Sequence, residues 1–66
     1  MTFTQLEYVL AVDAWQHFAK AAATCFVTQP TLSMQIHKLE QELGVKLFDR
    51  SKMPVVTTAA GKEIVS

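Results

Sequence analysis

Phe3, Leu6, Val9, Leu10 and Val12 recur at helical spacing and form one apolar stripe. Thr2-Phe3-Thr4-Gln5 and Thr4-Gln5-Leu6-Glu7 both have the form of a capping box. The pattern therefore predicts a helix that starts between Thr2 and Thr4 and fades near Ala14 to Gln16. A second, short helix is expected from about Phe18 to Thr24, with Phe18, Ala21, Ala22 and Cys25 on its inner face. The small side chains at Ala21 and Ala22 let another helix approach closely. The next stripe is the clearest. Leu32, Ile36, Leu39 and Leu43 recur at intervals of four, three and four, behind an N-cap at Thr28 and a proline in the first turn at Pro30. Gly44 follows as a left-handed C-cap.

After Gly44 the period shortens. Val45 and Leu47, then Val55 to Thr57, predict two short strands, with Ser51-Lys52-Met53-Pro54 as the turn between them. Pro54 fits an edge position or a hairpin tip. Thr58 then caps a further helix over Ala59 to Val65. A helix of about two turns does not stand alone, so it reads as the opening of a longer linker helix in a longer protein.

The expected architecture is mainly α: three helices and a two-stranded wing, followed by the start of a linker helix. Phe26, Val27 and Thr28 alone join the second and third helices, the connection length of a helix-turn-helix. The motif spans about 18–37 and the wing about 45–57. A winged helix-turn-helix domain over 1–58 and the first part of a linker or dimerisation helix over 59–66 complete the division.

Composition narrows the function classes. A chain of 66 residues holds one domain, and half of its residues are apolar, enough for one core. The single cysteine, Cys25, excludes an intramolecular disulfide or a thiolate metal cage and suits a reducing cytoplasm. No apolar run is long enough to cross a membrane. His17 and His37 lack a carboxylate at ligand spacing, so no metal is expected. There is no Gly-rich phosphate loop and no nucleophile with an evident base, so no enzyme activity and no cofactor are expected. The formal charge is zero, against the basic balance usual in nucleic-acid binders. Its distribution is uneven, however. No acid lies between Ala14 and Leu39, a stretch that holds His17, Lys20, His37 and Lys38.

With Leu32, Ile36 and Leu39 turned inward, the first turns of the third helix present Thr28, Gln29, Pro30, Thr31, Ser33, Met34, Gln35 and Lys38. A B-DNA major groove about 12 Å wide admits one such helix, and a helix-turn-helix enters it by the N-terminal end of the recognition helix. Gln29 suits an adenine edge, and Pro30 and Met34 suit thymine methyls. Thr28, Thr31 and Ser33 are short donors for phosphate or bases, and Lys38 is placed for phosphate. Lys52 and Met53 would probe groove shape from the wing. Double-stranded DNA is the expected partner. Met34 reads either as a base contact or as an exposed side chain touching a neighbouring chain. Cys25, on the apolar face, reads as a buried structural thiol and not as a redox switch, and Trp15 as the edge of the core, with a dimer contact as the alternative. Glu40 and Arg50 either pair and tie the third helix to the wing or stand as independent surface charges. Lys20 either faces phosphate or is simply solvated.

The residues also carry a family resemblance. Phe18-Ala19-Lys20-Ala21-Ala22, Val27-Thr28-Gln29-Pro30-Thr31-Leu32-Ser33, Gln35-Ile36, Leu39-Glu40, Leu43-Gly44, Leu47-Phe48-Asp49-Arg50 and Thr58-Ala59-Ala60-Gly61 resemble the amino-terminal DNA-binding domain of LysR-type transcriptional regulators over nearly the whole chain. Leu6-Glu7-Tyr8, His17-Phe18, Cys25 and Gln29-Pro30-Thr31-Leu32-Ser33 look most like its peroxide-sensing branch. The resemblance implies a homodimer or homotetramer paired through the linker helix, an interrupted palindromic operator, and a carboxy-terminal sensor domain absent from this chain. Cys25 does not match the sensing cysteines of that branch. Many members of the family carry Arg where this chain has Met34 and a basic residue where it has Met53, departures that weaken attraction to phosphate and the minor groove. A winged-helix protein-interaction module that has lost DNA binding is the alternative.

Overall fold

The computed structural model describes residues 1–66 and contains four helices and one two-stranded antiparallel sheet. Helix α1 runs Phe3–Trp15, α2 Phe18–Thr24 and α3 Gln29–Leu43; strands β1 (Phe48–Asp49) and β2 (Val56–Thr57) follow, and α4 covers Ala59–Val65. Of the two capping boxes, the first is used. The Thr2 hydroxyl accepts from Gln5 N–H at 3.0 Å, and the Gln5 side chain accepts from Thr2 N–H at 3.1 Å. His17 caps α2 through Nδ1, Thr28 caps α3, and Thr58 caps α4.

The core comprises Tyr8, Val9 and Val12 from α1, Phe18, Ala21 and Ala22 from α2, and Leu32, Ile36 and Leu39 from α3, closed by Leu47, Phe48 and Val55. Cys25 sits half-buried at its edge rather than inside it. The face that α1 buries differs from the predicted stripe. Gln5, Tyr8, Val9 and Val12 point inward, whereas Phe3 is 87% and Leu10 44% exposed. Apolar residues surround this helix, so spacing alone did not select the inner face. At about 100° per residue, Phe3 and Leu10 fall together on the far side. In α3, Leu43 lies on the correct side but beyond the end of the core, and it is exposed while Glu40 is buried.

The loop between α2 and α3 is one residue longer than expected and runs over 25–28. Val27 N–H reaches back to the Ala22 carbonyl at 3.0 Å, and Phe26 adopts a left-handed φ of 60° with its ring almost wholly exposed. The strands also begin later than predicted. Val45 N–H is spent on the Glu40 carbonyl at the end of α3, and Leu47 N–H on the Glu40 side chain. Both N–H groups turn back to α3, and the paired residues are Phe48 opposite Thr57 and Asp49 opposite Val56. The hairpin is fastened to α1, with Val55 N–H donating to the Gln16 carbonyl at 3.1 Å and the Thr57 hydroxyl to Asp13 at 2.6 Å.

Two glycines are needed for different reasons. Gly44 holds a φ of 73° at the end of α3 with open space around it, so its backbone and not its size is at issue. Gly61 is the reverse. A Cβ there would collide with the Leu47 carbonyl oxygen and lie 2.8 Å from Thr57 Cγ2. Because one of these obstacles is backbone, α4 must move away from the wing to admit a methyl group. Gly61→Ala is expected to destabilise the fold by about 1–3 kcal/mol, the usual range for overpacking, measured by urea denaturation. An unchanged midpoint would show that α4 is not seated on the wing.

Candidate nucleic-acid interface

Helix α3 keeps Leu32, Ile36, Leu39 and Glu40 inside, which leaves its opposite side to solvent. Thr28, Gln29, Pro30, Thr31, Met34 and Lys38 are all exposed there, and Lys52 and Met53 are exposed on the wing. Thr28 is tied to Thr31, their hydroxyls 2.8 Å apart, as part of the helix cap. Two residues of the predicted surface are half-buried and already engaged. Gln35 accepts from the Gln5 amide at 3.3 Å and thus links α3 to α1. Ser33 Oγ accepts from Arg50 Nη1 at 2.7 Å. The polar side of α3 is therefore a solvent-facing ridge, with Gln35 drawn toward the protein at its edge.

Arg50 is the residue that sequence reasoning weighed only as a partner for Glu40. Its guanidinium lies 4.5 Å from the centre of the Phe18 ring, donates to Ser33, and stands 3.7 Å from Glu40 Oε1. Phe18 in turn meets Phe48 edge to face, with ring centres 6.1 Å apart. The pairing of Glu40 with Arg50 is thus realised, but the ion pair is the lesser part of it. Arg50 is 40% exposed, which limits such a pair to about 1 kcal/mol or less. The stronger connection is Glu40 Oε2, which accepts from Leu47 N–H at 2.8 Å and from Phe48 N–H at 3.4 Å in the buried interior. Glu40 lies one turn after Ile36, at the margin of the apolar stripe. That placement, with Arg ten positions on in a predicted wing, was the available signal.

A groove of about 230 Å³ opens between the start of α2, the first turns of α3 and the wing, bordered by His17, Gln29, Ser33, Arg50 and Met53. Two hydrogen bonds from Ser51, hydroxyl first and backbone N–H second, hold the Asp49 carboxyl below its ordinary range, aided by Lys52. Lys20 is exposed and its ammonium lies 5.9 Å from the centre of the half-exposed Trp15 ring. Cys25 faces burial and then the Glu7 charge, both of which push its thiol above the ordinary value, so it is held as the poorly nucleophilic thiol. His37 is exposed, and no group of three or more His, Cys, Asp or Glu side chains is placed to hold a metal ion. No helix is long and apolar enough to cross a membrane.

Residues 3–62 match the family model described as bacterial regulatory helix-turn-helix protein, lysR family. The chain is 49% identical over 65 residues to a hydrogen peroxide-inducible genes activator from Pectobacterium carotovorum subsp. carotovorum, a match that covers 98% of this chain and 22% of the relative. Its fold superposes on a full-length OxyR variant from Pseudomonas aeruginosa with a TM-score of 0.92 and 51% identity, covering 98% of this chain and 22% of that one. It is equally close, at a TM-score of 0.92 and 44% identity, to the BenM DNA-binding domain in complex with benA site 1 DNA, with 96% and 71% covered. The chain spans about a fifth of the length of the curated relatives it matches.

Replacing Glu40 by Ala leaves two buried N–H groups of the wing without their acceptor. Each orphaned group costs about 1–3 kcal/mol; because the Phe48 bond is long, a total loss of about 2–4 kcal/mol is expected by chemical denaturation. Glu40→Gln, which retains an acceptor, should lose less. A loss below about 1 kcal/mol for Glu40→Ala would remove Glu40 from its place as the link. For Cys25, alkylation by iodoacetamide at neutral pH should run slower in the folded chain than in denaturant and accelerate as pH rises through the raised pKa. Equal rates would show that the thiol is not shielded.

Proposed function

The chain belongs to the lysR family of bacterial regulatory helix-turn-helix proteins, and from that premise we propose that it is the sequence-specific DNA-binding head of a transcription regulator and not an enzyme. The observation that carries this reading is the solvent-facing ridge on the first turns of α3, where Gln29, Pro30, Thr31 and Met34 stand clear of the core. A helix presented this way enters a major groove by its N-terminal end. Gln29 would read an adenine edge, Pro30 and Met34 would contact thymine methyls, and Thr28, Thr31 and Ser33 would donate to bases or phosphate. Gln35 would serve from the edge of the ridge, Lys38 would meet phosphate, and Lys52 and Met53 would follow the groove shape from the wing.

The similarity to hydrogen peroxide-inducible genes activators supports a regulator of peroxide-inducible genes, and the DNA complex of the BenM domain supports duplex DNA as partner. Residues 59–66 would open a linker helix after a winged domain over 1–58. Phe3 and Leu10, exposed on the far side of α1, suit pairing with a second copy. Two recognition helices would then meet an interrupted palindrome with half-sites about 34–36 Å apart, or a multiple of that. The zero net charge and the exposed Met34 and Met53 favour, as a second reading, an interaction module that keeps the fold without binding DNA.

Selection from a random duplex library at low salt, followed by sequencing, separates the two. DNA binding predicts enrichment of a two-armed site. Gln29→Ala should cost about 1–3 kcal/mol on the selected duplex and relax preference at a single base step, whereas Lys38→Ala should weaken all duplexes alike. No enrichment, and no salt-sensitive retention of any duplex, would leave the interaction module standing.

A further inference from the structure

The groove between α2, α3 and the wing has a chemistry that base reading does not use. Arg50, on its border, is 40% exposed and retains N–H donors beyond the one given to Ser33. Ser33 Oγ accepts from Arg50, which leaves the hydroxyl proton free to be donated. His17 Nδ1 accepts the Lys20 N–H at 3.2 Å as the cap of α2. That bond fixes the tautomer with the proton on Nε2, so the ring's other nitrogen is a donor. No Asp or Glu lines the groove; Glu40, whose Oε1 stands 3.7 Å from Arg50, is buried with its other oxygen committed to Leu47 and Phe48 N–H. Phe18, Ala19, Met53 and Val55 make the other half of the lining apolar, so the polar half, with one guanidinium and no carboxylate, selects an anion whose acceptor oxygens meet it from one side.

We propose that this groove seats one backbone phosphate of the bound duplex, with Arg50 as its cation and Ser33 and His17 as its hydrogen-bond donors. The inference rests on the DNA-binding reading and adds two contacts to it, Arg50 and His17. It also gives Ser33 a partner other than a base. Arg50 is fixed before DNA arrives by the Phe18 ring and Glu40, so little side-chain entropy is lost when the phosphate docks. The seat places the strand between recognition helix and wing, and thereby sets how deeply α3 enters the groove.

The test is the salt dependence of binding to the selected duplex and to an unrelated duplex, for the unmodified chain and for Arg50→Gln and Arg50→Lys. Each neutralised phosphate contributes about 0.9 to the slope of log affinity against log salt. Arg50→Gln should lower the slope by about one on both duplexes, and Arg50→Lys should keep it. An unchanged slope in Arg50→Gln, with affinity reduced at every salt concentration, would reduce Arg50 to a scaffold residue and overturn the seat. Should Arg50→Gln fail to fold, His17→Ser keeps a capping oxygen for α2 while withdrawing the Nε2 donor. It should then bind both duplexes roughly three- to tenfold more weakly at an unchanged melting temperature, the effect of one lost hydrogen bond; equal binding would overturn the proposal. Inorganic phosphate titrated into the chain without DNA, at constant ionic strength, separates the two phosphate sources. A seat for the duplex backbone shows no saturable Arg50-dependent binding, whereas saturable binding that is lost in Arg50→Gln would reassign the groove to free phosphate. If the unmodified chain binds no duplex at all, the DNA-binding reading itself falls. If it binds and the variants behave alike, only the seat falls.

Discussion

The carboxylate of Glu40 holds the two halves of the domain in register. It sits inside the protein on α3, and its partners are backbone N–H groups of Leu47 and Phe48, where the chain turns from helix into wing. A buried carboxylate without partners is prohibitively costly, and two buried N–H groups without an acceptor are nearly so. Each therefore requires the other, and the arrangement admits few alternatives. Apolar packing alone would let the hairpin slide over α3, because dispersion is not directional. The hydrogen bonds to Glu40 remove that freedom, and Arg50 on the outer side continues the connection to Ser33 and Phe18. Recognition helix and wing can then approach a ligand as one rigid surface.

The rest of the molecule supports this connection from behind. Helix α1 reaches the wing at its far end through Gln16 and Asp13 and reaches α3 through the Gln5–Gln35 bond. It acts as a frame that spans both. Ala21 and Ala22 keep α2 close to its neighbours, and Gly61 brings α4 against the Leu47 carbonyl. Small residues occur where helices must approach another chain segment closely, and polar residues occur where register must be fixed. A domain of this size buries only about 60% of the surface its unfolded chain exposes, so direction-specific bonds matter more than they would in a larger core.

Much of this was legible in the sequence. The caps at Thr2, Thr28 and Thr58, the extent of α2, and the left-handed end at Gly44 follow from short-range rules, since their partners lie within about four residues. The solvent-facing side of α3 followed from the spacing of Leu32, Ile36 and Leu39. The misplacements have one cause: spacing gives the angle around a helix but not what stands opposite. Phe3 and Leu10 have the apolar character of core residues but face away from it. Leu43 has the right angle but lies past the end of the core and is 43% exposed. The strands were placed too early because Val45 and Leu47 look extended, while their N–H groups belong to Glu40. Within the candidate site, Gln35 and Ser33 were counted as free, and only the positions of Gln5 and Arg50 in three dimensions show them engaged.

The formal charge of zero illustrates the same distinction between a sum and an arrangement. A count of six acids against six bases argues against attraction to DNA, yet the acids are not spread evenly over the surface. Glu40 is buried, Asp13 is half-buried against Thr57, Glu42 faces the amino terminus, and Asp49 is turned to Ser51 and lies beside Lys52. Glu7 belongs to α1 and Glu63 to α4, neither of which carries the ridge. Lys20, Lys38, Arg50 and Lys52 remain exposed on α2, α3 and the wing. Interactions between exposed charges are largely screened beyond about 8 Å at physiological ionic strength. A phosphate approaching α3 therefore responds to these bases far more than to acids on the opposite helices. Local arrangement within one Debye length, and not the total over the chain, decides which surface can meet a polyanion.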